Sequence, residues 1–214
     1  MSNEPVLCSV ADGVATVTLN NPPVNVVTLG LSRSLGETLN ALQADETVRA
    51  VVLTGSGTRA FCAGSDISEF GDMMAPGQIV PRKLKRQNEV FCQLDSFAKP
   101  TIAAISGLAF GGGLEIALCC DLIVVDEQSR LALPEIKLGV LPSSGGTFRI
   151  ARRIGEGRAK EMIFFGEPID AATALAWGLA NRVAPNGQSL AMAQDMARTL
   201  TQRPRLALQL CKSV

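Results

Sequence analysis

Residues 101–146 read TIAAISGLAFGGGLEIALCCDLIVVDEQSRLALPEIKLGVLPSSGG, and the fold turns on this stretch. An apolar run from Thr101 to Phe110 passes through Gly111-Gly112-Gly113 into Leu114-Glu115-Ile116-Ala117-Leu118. A second apolar run follows, then Leu133-Pro134-Glu135, then a second glycine-rich turn from Pro142 to Gly146. Between Ile102 and Val125 only Glu115 and Asp121 are charged. A carboxylate in such company is deeply placed, and a lone buried carboxylate either protonates or finds a partner. Three consecutive glycines would weaken any regular element, so they mark a place where bare backbone comes close to something. The stretch therefore predicts a strand leading into a turn whose open N–H groups start a helix carrying Glu115.

Outward from that stretch, the pattern is α/β. Residues 6–10 and 14–20 alternate around Asp12-Gly13 as a β-hairpin. Leu31, Leu35, Leu39 and Leu42 recur at helical spacing over about Thr28 to Gln43, and Ala50–Thr54 forms a short buried strand. In Ala60–Asp66, Asp66 with Glu69 three residues on reads as a capping arrangement before a short helix. Residues 71–80 lack any period and read as a loop in which Met73 and Met74 pack. A helix from about Pro81 to Phe97 then sets Leu84, Asn88, Phe91 and Leu94 on one side. Strands at 101–105, 122–125 and 131–133 and helices at 147–153, 158–165, 171–177, 188–200 and 205–212 complete the chain. The glycines in 101–120, together with Glu115, argue against reading that segment as a membrane span.

Composition narrows the chemistry. Twenty Lys and Arg balance twenty Asp and Glu, which gives no support to broad attraction to nucleic acid or anionic membrane. The one basic cluster, Arg82-Lys83-Leu84-Lys85-Arg86, reads as a solvated helix face, with a site for an anionic ligand as the alternative. Six cysteines without a CxxC spacing, and no histidine, disfavour zinc sites. They fit reduced, mostly packed thiols in a cytoplasmic setting. MSNEPVLCSV has neither the basic nor the apolar part of a signal peptide. Without histidine, Ser-His-Asp and Cys-His catalysis is excluded. Tyrosine is also absent, so acid–base work near neutral pH falls to carboxylates, lysines or cysteines.

Two acids in apolar surroundings, Glu115 and Glu135, each stand next to a glycine-rich turn. The turns around Ala63-Gly64 and Gly111–Gly113 could each offer a backbone N–H. Two convergent N–H donors stabilise charge developing on a carbonyl oxygen by roughly 3 kcal/mol each. Two nearby carboxylates do not both ionise readily, so one tends to hold a proton while the other acts as base. Together these describe chemistry at the α and β carbons of an acyl group.

On the motifs AFCAGSD at 60–66, SGLAFGGGLE at 106–115, LPEIKLG at 133–139, PSSGGT at 142–147 and ALAWGLANRV at 174–183, the chain resembles the crotonase (enoyl-CoA hydratase/isomerase) superfamily over nearly its whole length. The resemblance implies a spiral of β-β-α units over residues 1–184, followed at 185–214 by the start of a shortened C-terminal helical region. It implies an acyl-CoA thioester as substrate, no separate cofactor, no metal, and a homo-trimer or hexamer. Ala63 and Gly112 are implied as the oxyanion-hole donors and Glu115 and Glu135 as the catalytic acids. Gly64, Ser65, Asp66, Ile67 and Ser143 are implied to contact substrate. Most hydratases of the family carry glycine where Ser143 stands. Both acids together favour water addition across a 2-enoyl thioester. The alternatives are double-bond migration, as in family isomerases, or a catalytically silent CoA-binding member.

Overall fold

The computed structural model describes residues 4–73, 75 and 77–212; the expectations for Met74, Pro76 and the last two residues lie outside that range. The hairpin is β1 (Val6–Ala11) and β2 (Val14–Leu19), paired antiparallel. Asp12 and Gly13 both take positive φ at its turn, which suits the twist of the strands they join. Helix α1 (Leu29–Ala44) follows. Thr28 caps it by accepting from the Leu31 N–H, and the leucines at 31, 35, 39 and 42 are buried.

From here each turn of the chain contributes one strand to a large sheet and one to a small sheet. Strands β3 (Ala50–Gly55) and β4 (Ala60–Cys62) make one such pair, and β5 (Thr101–Ile105) and β6 (Leu108–Phe110) the next. Strands β7 (Leu122–Asp126) and β8 (Arg130–Ala132) make the third, and β9 (Ile169–Asp170) and β10 (Arg182–Ala184) close the series. The six-stranded sheet runs β1-β2-β3-β5-β7-β10 and the four-stranded sheet β4-β6-β8-β9. The expected β-β-α spiral is thus what the chain forms. The run Thr101–Phe110 is not one strand, however: Ser106-Gly107 hands it from one sheet to the other.

Strand alternation divides the core in two. Val51, Leu53, Ala103, Ile105, Ile123 and Val125 face the larger core, shared with the leucines of α1 and with α2 (Lys85–Asp95) and α3 (Gly112–Leu118). Ala50, Val52, Ile102, Ala104 and Val124 face the other way. There they meet Ala193 and Ala197 of α7 (Ser189–Thr201). The remaining helices are α4 (Gly146–Ile154), α5 (Glu156–Phe165), α6 (Ala171–Trp177) and α8 (Arg205–Lys212). Among the described residues no helix is long and apolar enough to cross a membrane.

Two local expectations change. The helix expected from Pro81 begins instead with a π-helical turn, Val80–Leu84, before α2. Its buried stripe is Lys83, Gln87, Val90, Phe91 and Leu94, one position off the expected Leu84 and Asn88. Counting apolar residues misled here because two of the buried side chains are polar and held by partners across the fold. The cluster at 82–86 is accordingly not wholly solvated: Lys83 is buried and ion-paired to Glu69 at 2.7 Å. Asp121 is also less deep than its neighbours suggest. It sits at the surface, accepting from the Thr101 N–H and pairing with Lys212 at 2.8 Å.

Candidate active site

Gly111 opens α3 with φ +50°, its N–H given to the Ala132 carbonyl and its own carbonyl accepting from the Glu115 N–H. Gly113 must be glycine because a Cβ there would collide with the carbonyl of Cys62 in β4. That close approach brings the start of α3 against the loop after β4, as the three glycines predicted.

Glu115 lies one turn into α3 and is 2% exposed. Its Oε1 accepts two N–H bonds of 2.8 Å, from Ser144 and Gly146, at the second glycine-rich turn. Gly145 between them has φ +92°, which turns both N–H groups to the same side. A Cβ on Gly146 would stand 2.9 Å from that same oxygen. Burial pushes the Glu115 carboxyl above its ordinary range, opposed by these two N–H bonds and by the nearby Arg149 guanidinium.

Glu135 sits in a short 3-10 turn, Pro134–Leu138, closed by Gly139 in the left-handed conformation. Its Oε2 is buried and, among the described residues, has no hydrogen-bond partner. Burial raises its pKa to about 7, and the Glu115 charge pushes the same way. Both acids line one cavity of about 160 Å³, together with Gly111 and Gly112. Its apolar wall includes Ile67, Phe70, Leu84, Leu138, Val140 and Leu141.

One member of the expected pair of N–H donors, Ala63, is engaged elsewhere. The Ala63 N–H is committed to the Val24 carbonyl at 2.9 Å, so it is not available to a ligand. Neighbouring backbone explains why. Val27 bridges to this segment by donating to the Gly64 carbonyl and accepting from the Asp66 N–H, which turns the intervening Ser65 N–H the opposite way. Among the described residues neither the Ser65 nor the Gly112 N–H has an acceptor. The two lie close: a Cβ on Gly112 would be 3.4 Å from the Ser65 nitrogen. The open pair is therefore Ser65 and Gly112, with Ser65 two residues along from the expected Ala63.

Of the other expected contacts, Gly64, Ser65, Ile67 and Ser143 line the cavity with Ala63. Asp66 does not. Its carboxylate accepts from the Ser68 N–H and hydroxyl, capping the 3-10 helix Ile67–Met73. Glu69 does not complete a capping box with it. Its carboxylate instead takes the Leu29 N–H at the start of α1 and the Lys83 ammonium. Sequence reasoning missed Ser144, Gly146, Gln87 and Arg149. Ser144 and Gly146 belong to a turn whose glycines were a visible signal. Gln87 and Arg149 sit on amphipathic helices with nothing to distinguish them. Among the described residues no group of three His, Cys, Asp or Glu side chains could hold a metal ion.

The pattern of the enoyl-CoA hydratase/isomerase family matches residues 9–214. A short-chain-enoyl-CoA hydratase of Clostridium acetobutylicum is 37% identical over 201 residues, 93% of this chain and 76% of that protein. A carnitinyl-CoA dehydratase of Proteus mirabilis is 34% identical over 202 residues, 94% of this chain and 76% of its own. The crystal structure of an enoyl-CoA hydratase from Bacillus anthracis superposes with a TM-score of 0.93 at 33% identity, covering 98% of this chain and 81% of that one. Pseudomonas aeruginosa DspI superposes with a TM-score of 0.94 at 34% identity, covering 99% and 80%.

Proposed function

The chain belongs to the enoyl-CoA hydratase/isomerase family, and we propose that it is a hydratase that adds water across the double bond of a 2-enoyl-CoA. One observation carries this reading: a single cavity is lined by two acids, both pushed up by burial, and by two adjacent N–H groups that have no acceptor among the described residues. The thioester oxygen accepts from the Ser65 and Gly112 N–H groups, which draws electron density from the enoyl system and leaves the β carbon electrophilic. Glu115 is the base. Its Oε1 is occupied by the two N–H donors, so a proton taken from water goes to Oε2. The water oxygen bonds to the β carbon, the π electrons move toward the α carbon and the thioester oxygen, and the α carbon takes the proton of Glu135. Glu135 suits that task because, with a pKa of about 7, it still carries its proton in a good fraction of molecules at neutral pH.

No separate cofactor is needed in this scheme, since coenzyme A arrives with the acyl group. A homo-oligomer, trimeric or hexameric, and a cytoplasmic site of action belong to the same proposal. The test is direct. Crotonyl-CoA loses its enoyl absorbance in the presence of the protein, and both Glu115→Gln and Glu135→Gln abolish most of that rate. A protein that instead generates enoyl absorbance from a 3-enoyl-CoA, and leaves crotonyl-CoA unchanged, is an isomerase and overturns the proposal.

A further inference from the structure

The two halves of the cleft come from distant parts of the chain, and one buried side chain bridges them. Gln87 of α2 is 2% exposed. Its Nε2 donates to the Ser144 hydroxyl at 2.7 Å, and its Oε1 accepts from the Ser65 hydroxyl at 3.3 Å. Ser65 supplies one of the two open N–H groups, and Ser144 supplies one of the two N–H bonds to Glu115. The Gln87 amide also stands directly behind Gly112, since a Cβ on that glycine would lie 3.6 Å from its Nε2. Both ends of the amide are therefore used, and each use fixes a residue whose backbone N–H faces the chemistry. Neighbouring side chains pin α2 and the π-helical turn before it to the same loops. Lys83 donates to the Asp66 carbonyl at 2.9 Å, and Asn88 donates to the Ser143 carbonyl at 3.1 Å.

We propose that Gln87 is a positioning residue that sets the distance between the Ser65/Gly112 donor pair and the base Glu115. A serine hydroxyl is needed at both ends for the bridge to exist. The chain has one at each: Ser65 beside the donor pair and Ser144 in the turn that holds the base. Polarisation of the thioester and deprotonation of water must occur at one substrate, so an error in that spacing lowers the rate of the chemical step. It does not weaken binding of the CoA portion.

This inference rests on the cleft being the acyl-thioester site, and the experiment separates it from the hydration reading. The probe is an aryl-enoyl-CoA whose absorption moves to longer wavelength when its carbonyl oxygen is hydrogen-bonded, read alongside crotonyl-CoA turnover. Gln87→Met keeps the volume and removes both bonds. The expected result is that it binds the probe with a reduced red shift and lowers kcat by roughly 10- to 100-fold while KM barely moves. Adding Gln87→Met to a Ser65→Ala/Ser144→Ala protein should lower kcat no further, because the bridge is already cut.

A Gln87→Met protein with the parent red shift and the parent kcat per folded molecule overturns the proposal. Where circular dichroism reports that Gln87→Met does not fold, Ser65→Ala decides, since it keeps the N–H and removes only the hydroxyl; an unchanged shift and kcat in that variant is equally fatal. A parent protein that red-shifts the probe without hydrating crotonyl-CoA defeats the hydratase reading alone, and the spectral arm still decides Gln87. A parent protein that gives no red shift removes the donor pair, and both readings with it.

Discussion

Glu135 keeps a proton near neutrality because its carboxyl is mostly removed from water, Oε2 has no donor among the described residues, and a second acid lies across the cavity. The ordinary value is 4.5 and the folded value about 7, so between those limits the folded chain holds a proton that the unfolded chain has released. Stability contributed by this group is therefore fully present at the acid end of the window and declines as pH rises through about 7. Thermal melts from pH 5 upward should show that decline in the parent and a flatter profile in Glu135→Gln; equal slopes would reject the assignment. Hydration should weaken over the same upper limit, since kcat/KM in the hydration direction follows the protonated form. Glu115→Gln and Glu135→Gln should each lower kcat by about 10²- to 10⁴-fold at neutral pH. Gly113→Ala tests a different demand. Its added methyl meets the Cys62 carbonyl, and chemical denaturation should register a loss of about 3 kcal/mol or more.

The identities of the two acids and of the glycines were visible in the chain because each violates its surroundings: a charge amid apolar residues, or flexibility where a regular element should start. The donor pair was not fully visible. Ala63 and Ser65 are equally plausible by type, and the choice depends on which N–H the Val24–Val27 segment engages. No local pattern carries that information.

At the scale of elements, the π-helical turn and α2 form the frame of the cleft. Lys83 is 1% exposed and donates to Glu69, to the Asp66 carbonyl and, at 3.4 Å, to the Val27 carbonyl, with Phe70 4.7 Å from its ammonium. Glu69 in turn accepts from the first N–H of α1. One ion pair thus ties the segment carrying Ser65 to two helices. Glu69→Ala leaves the ammonium buried without its counter-charge and should destabilise the protein by about 3 kcal/mol, as breaking a mostly buried pair does. Lys83→Met, which leaves only a partly exposed carboxylate behind, should be the milder change. Urea titration of both variants checks the order, and a reversal would mean that Glu69 reaches water when Lys83 is charged. Helix positions were legible from apolar spacing throughout, but the α2 stripe was displaced by one. Periodicity registers hydrophobic partners and is blind to a buried Lys or Gln satisfied across the fold.

Over the whole molecule, two sheets share successive strands of one spiral, and the large sheet is covered on both faces. Its central strands β3, β5 and β7 are flanked on both edges, whereas among the described residues β1 has a partner on one side only and α8 buries none of its residues. Native-state hydrogen exchange should find the slowest amides in those three strands and the fastest among β1 and α8. Comparable protection in α8 would indicate a surface that these contacts do not include.

The chain by itself determined the kinds of element and their order, the placement of two acids beside glycine turns, and the exclusion of histidine-based catalysis. Those follow from local rules: side-chain period, backbone freedom and residue chemistry. Only the tertiary structure decided that the Ser65 N–H is open while that of Ala63 is engaged, that Glu115 is buried while Asp121 reaches the surface, and that Gln87 spans the cleft. Each of these turns on a hydrogen bond or ion pair between residues 20 to 91 positions apart, or on backbone pairing in a neighbouring loop. Which donor meets which acceptor at such range is settled only when the spiral closes.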